Sequence, residues 1–235
     1  MTKPNQKPEN GLLNILINVV IPVFILNQGS KRVGPLVALL VALAFPLVYG
    51  IWDAYSRKKV NVFSALGFIN VAITGGLALA GLGGIWFCVK EAAFPFLIGS
   101  FVIVSAFGKK PFVQTLLLNP SLMDLELVEQ KLQERQAQGE FHKHLKSSTV
   151  YLAGSFFFSA ALNYFLAIKI FIPLDPLLDS TARSIVLNEQ IAKMTSSSFA
   201  VILIPSMLVL MAILWHLLSG IKKHTGLTTE QILKS

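Results

Sequence analysis

Lys90 and Glu91 are adjacent charges at the edge of a long apolar run. A charge at membrane depth is costly, so each is by default a candidate for ion coupling or proton movement. The plainer alternatives are a structural ion pair, or a lysine that extends its ammonium to the headgroups. A second pattern is Tyr151, Ser155, Ser159 and Asn163, which recur every fourth residue and share one helix face. Polar groups in hydrocarbon need partners or water, so this face should point into a bundle, either as interhelical glue or as the wall of a path. Asn14 and Asn18, also four apart, are the candidate partners across the bundle, and Asn70 adds a polar position in a third apolar run.

Other chemistry is poorly represented. His142 and His144 are two residues apart, which points them to different sides of a helix and makes a poor metal pair. No nucleotide-binding loop, H-E-x-x-H, G-x-S-x-G or carboxylate pair lies within an apolar run. Only Lys90, Glu91 and Asp53 sit near headgroup depth, with Asp53 on the opposite side. The expectation is no catalytic, cofactor-binding or metal-binding residue, no cofactor, and no enzymatic activity. The single cysteine, Cys88, excludes an intrachain disulfide.

The elements that must position these residues are set by composition. Of 235 residues, 54% are hydrophobic and 14% charged, against about 25% charged in a soluble domain; the mean hydropathy is +0.65. Apolar windows close to the roughly 20 residues needed to cross a bilayer recur. They predict an all-α, polytopic membrane helix bundle of six spans at about 11–27, 35–52, 60–81, 92–107, 148–172 and 198–221, in a single membrane domain over 1–235. The first span is short and polar. The run after Lys3 and Lys7 resembles a signal peptide, but Asn27 to Arg32 is no cleavage site, so it reads as an uncleaved helix.

Between spans four and five, residues 119–146 change character. Asn119 caps, Pro120 suits the first helical position, and Leu122, Leu125, Val128 and Leu132 fall at helical spacing. This predicts an amphipathic helix on the membrane or against the bundle, or else a solvated linker helix. Residues 174–197 form the other long connection, with one surface helix expected before span six.

The net charge of +8 does not indicate nucleic acid, because the basic residues lie between apolar spans and not on one accessible face. They orient the bundle instead. With the N-terminus inside, the outer loops hold only Lys31, Arg32, Arg183 and Lys193, with Lys90 and Lys169 at outer helix ends. The rest fall inside, so both termini should be cytoplasmic. The lack of an N-x-S/T acceptor is compatible with a bacterial chain. Ala72, Gly76, Ala80 and Gly84 form a small-residue face on span three for close helix packing or self-association, the alternative being a flexible gate.

The run Thr74-Gly75-Gly76-Leu77, Lys90 at the start of the next helix, then Gly99, Ser105 and Gly108-Lys109-Lys110-Pro111-Phe112 resembles the bacterial inner-membrane septation protein A family. The resemblance covers roughly residues 12–115. The added segments at 119–146 and 174–197 make the chain more similar to a longer, transporter-like sister group. It implies a protein of the bacterial inner membrane associated with the cell envelope, acting through membrane lipids and protein partners, with Lys90, Ser105, Lys110 and Pro111 at the matching positions. The alternative function is a small solute transporter or channel with a path lined by polar residues of spans one, three and five.

Overall fold

The computed structural model describes residues 16–57, 62–108, 110–118 and 123–232. Every regular element among them is helical. In chain order these are α1 (residues 16–32), α2 (Pro35–Arg57), α3 (Val62–Leu79), α4 (Ile85–Ala106), α5 (Phe112–Leu117), α6 (Leu125–Glu134), α7 (Gln138–Ile170), α8 (Ser180–Ser198), α9 (Ile204–Thr225) and α10 (Thr229–Ile232). Four helices are long and apolar enough to cross a membrane: Pro35–Trp52, Ile85–Ala106, Gln138–Ile170 and Ser180–Thr225. The second, fourth, fifth and sixth expected spans fall on them. The third falls on α3, whose Ile69–Leu79 part is a shorter apolar stretch. Of the first span, residues 11–15 lie outside the described residues.

Turn chemistry sets the breaks. Gly34 has φ +90° and Pro35 begins α2, where its missing N–H costs nothing. After α3 the Leu82 amide donates to the Leu77 carbonyl and that of Gly81, at φ +68°, to Ala78, which is a Schellman ending. Gly84, at φ +54°, completes the turn.

Several expected boundaries move. Span four was expected from Ala92, but α4 starts at Ile85, because nothing between Gly84 and Lys90 breaks a helix. Lys90 and Glu91 therefore lie inside it. The amphipathic segment is not one helix ending near Lys146. It is broken at Gln136, which adopts φ 52° while the Ala137 and Gln136 amides close on Leu132 and Gln133, a second Schellman ending without glycine. Residues 138–146 belong instead to α7. The cap of α6 is Asp124, whose Oδ1 accepts from the Leu127 amide; Asn119, Pro120 and Leu122 lie outside the described residues. The helix of the 174–197 connection is α8, but it is not a surface helix: Leu187, Asn188, Gln190, Ile191, Ala192 and Met194 are buried, and it does not stop before span six. It continues into α9 through a π turn at Phe199–Leu203, where Pro205 cannot donate the regular i−4 bond.

The chain divides into two compact units, Met1–Glu91 with Asn163–Val201, and Ala92–Leu162 with Ile202–Ser235. In the first, α2 packs on α1 and α3, and α8 packs on α1 and α2. In the second, Val128 and Leu132 of α6 join Phe141, Leu145, Leu217, Ile221, Leu227 and Ile232 in one buried core. The Asp124 amide donates to the Ile232 carbonyl, tying α10 to the start of α6. The apolar face of the charged segment is thus buried in protein: of the readings its sequence allowed, packing against the bundle is the one adopted.

Candidate functional site

In the first unit the polar side chains gather where helices begin and end. Asn188, 2% exposed, donates through Nδ2 to Ser30 Oγ at 3.0 Å and to the Pro35 carbonyl at 2.9 Å. Ser30 in turn donates to the Leu26 carbonyl. The amide of α8 thereby clips the α1–α2 turn. Two residues on, Gln190 donates to the Ile172 carbonyl just past the end of α7, while its Oε1 is buried without a protein partner.

Lys90 and Glu91 form an ion pair, Nζ to Oε1 at 2.8 Å, with the two side chains only 6% and 20% exposed. Four residues apart on helix α4, Phe87 and Glu91 bracket one turn, and Phe87 stacks on Phe171 with ring centroids 4.6 Å apart. Such a pair is neutral as a unit, and each charge depends on the other for solvation. It can hold the helix start in place, or exchange a proton or an ion.

In the second unit the turn after α4 is built by Ser105. Its Oγ donates to the Val102 carbonyl at 2.6 Å and accepts from the Phe112 amide at 3.2 Å, and the Gly108 amide closes on the Ser105 carbonyl. Pro111 is buried and Lys110 exposed. The Val113 amide then reaches Thr149 Oγ1 on α7. Gly99 admits Phe156 and Phe157: a Cβ there would lie 3.1 Å from each.

Histidines meet between α7 and α9. The His144 and His216 rings are 4.6 Å apart, Tyr151 lies edge-on to His216 at 5.1 Å, and His224 is 6.0 Å from His144. His224 also faces Glu140 at 3.7 Å. The Nε2 atoms of His144 and His216 and the Oγ of Ser148 are buried without protein partners. Gly220 makes the room, since a Cβ at this position would overlap the His144 imidazole. His142 points elsewhere and lines a cleft with Lys110. Among the described residues no group of three or more His, Cys, Asp or Glu is arranged to hold a metal ion. At the exposed end of α6, hydrogen bonds from Lys131 and then Gln130 hold the Glu134 carboxyl below its ordinary range.

No family model, curated protein or solved structure matches this chain.

The expected site residues are therefore brought together only in part. Lys90 and Glu91 pair. Ser105 and Lys110 bracket one turn, with the serine holding it. Ser155 turns its hydroxyl back to the Leu152 carbonyl, as serines in helices do. Ser159 and Asn163 both have interaction partners. Asn70 is half-buried, and its carbonyl accepts from Thr74 Oγ1. Asn14 and the side chain of Asn18 lie outside the described residues, as does Asp53's side chain. The small-residue face is split: Ala72 and Gly76 are exposed on α3, whereas Ala80 and Gly84 lie beyond its end. The glycine that meets a neighbouring helix is Gly75, where a Cβ would lie 2.9 Å from Leu43 Cδ1. Asn188, Gln190 and the His144–His216 pair were not legible as site residues. Only the burial of α8 and the facing of α7 and α9 single them out.

Proposed function

We propose that this chain is a six-span protein of the bacterial inner membrane, with both termini cytoplasmic, that works by binding lipids and envelope membrane proteins and not by catalysis. The resemblance to the septation protein A family, or to its longer transporter-like sister group, points the same way. The observation that carries the reading is the packed cap made by α6, α10 and the adjoining ends of α7 and α9. A long charged segment has been folded into a structured surface with its own buried core, which a mere linker does not need. Serine and threonine hydroxyls that close on their own helix carbonyls at Thr74, Ser105 and Ser155 also fit structural roles better than a solute path.

The buried Lys90–Glu91 pair favours a second reading, ion-coupled transport, because intramembrane charges mark such sites. Purified protein in liposomes separates the two. On the binding reading, solute and proton flux stays at the level of empty vesicles while envelope proteins co-purify with the chain. Flux that is abolished by Lys90→Met overturns it in favour of transport.

A further inference from the structure

The second unit carries a cleft of about 470 Å³ that opens at the edge of the buried core, with Val128, Leu132, Phe141 and Leu145 shared between the two. Its floor is apolar, made by Val128 and Leu132 of α6 and Phe141 and Leu145 of α7, all at most 7% exposed. Its rim is polar and includes Lys110, which is exposed, and His142. Among the described residues Glu129 is the one acid on the lining, against these two basic groups. The volume lies within the roughly 300–1,000 Å³ range of ligand-holding clefts, and an apolar wall with a few polar groups is the usual composition.

Its place along the chain says what kind of ligand fits. Lys110 stands four residues beyond the last residue of α4, and Leu145 lies three residues before the apolar run of α7 begins. The cleft therefore opens where two membrane-length helices leave their apolar stretches, on the lysine-rich side. A ligand there has a hydrocarbon tail to bury and a headgroup to leave at the rim. Basic groups at that level select anionic headgroups.

We propose that this cleft binds one anionic membrane phospholipid, an acyl chain lying on Val128, Leu132, Phe141 and Leu145 and the phosphate held by Lys110 and His142. The Glu129 carboxylate is available to accept from a headgroup hydroxyl. The proposal rests on the membrane reading above and names the lipid class for it.

The test is native mass spectrometry of the full chain released from nanodiscs holding equal phosphatidylglycerol and phosphatidylcholine. The wild type should retain one phosphatidylglycerol in clear excess over phosphatidylcholine. Lys110→Glu should lower that retention at least fivefold, Lys110→Arg should keep it, and Lys143→Glu, an exposed lysine on α7 outside the cleft, should leave it unchanged. Because Lys110 is exposed, its variants should melt like the wild type; Thr115→Trp at the exposed rim supplies an independent block. A chain that enters the discs but retains both lipids equally, or loses nothing with Lys110→Glu, overturns the lipid site alone. A chain that does not enter the discs overturns the membrane reading, and this proposal with it.

Discussion

At Lys90 the balance between desolvation and attraction can be measured. Removing one partner of a buried ion pair leaves an uncompensated charge, at a cost of about 3 kcal/mol or more, whereas replacing both by apolar or neutral groups of similar size is often near neutral. Lys90→Met should therefore destabilise the chain by ~3 kcal/mol in mixed-micelle unfolding, and Lys90→Met with Glu91→Gln should recover most of the loss. Independent, additive effects of the two substitutions would contradict pairing. Gly220 offers a steric counterpart. Because a Cβ there meets the His144 ring, Gly220→Ala should cost about 1–3 kcal/mol through overpacking, and Gly220→Ala with His144→Ala should restore part of it. The charged pair could be singled out from sequence, since two charges beside an apolar run are conspicuous. The histidines could not, because His144 and His216 are 72 positions apart by their numbering, and only helix packing brings them together.

Among the elements, α6 and α7 show how far periodicity reaches and where it stops. The spacing of Leu125, Val128 and Leu132 announces a helix with one apolar face, and Val128 and Leu132 are indeed buried. It does not announce the break at Gln136, because Schellman endings are recognised by glycine and this one has a glutamine. A left-handed residue with a Cβ costs roughly 1–2 kcal/mol, so Gln136→Gly should stabilise the second unit by about 1 kcal/mol in the same unfolding experiment. Leu132→Asp should do the reverse and expose α6, giving rapid proteolysis between residues 125 and 134 while fragments containing the membrane-length helices stay intact. The junction of α8 and α9 was hidden for a related reason: the π turn at Phe199–Leu203 accommodates Pro205, so a polar helix runs into an apolar one with no break at the proline.

For the molecule as a whole, topology is the decisive prediction. Four membrane-length helices are present, and the proposed six-span arrangement puts both chain ends on the lysine-rich side. Cys88, the lone cysteine, is buried and serves as a silent background. On intact cells, Leu177→Cys, at a position 92% exposed, should react with a membrane-impermeant maleimide from outside, and Gln130→Cys only after permeabilisation. The reverse pattern would invert the topology, and labelling of both from one side would exclude an arrangement that separates the two segments by a membrane.

The wide turns of α1 carry one more consequence. Leu16–Val20 and Ile25–Gly29 are π-helical on either side of Ile21–Phe24, and each such turn spends an extra residue per hydrogen-bonded loop. Positions four apart through residues 16–29 therefore drift in angular phase, so a line of residues at that spacing does not describe a straight face. The helix carries surplus length that a codon deletion can remove: dropping one residue from 25–29 should be absorbed as a regular α turn, whereas the same deletion within α2 would rotate every later side chain by about 100°. A deletion scan scored by membrane expression should show tolerance at those wide turns and loss within α2.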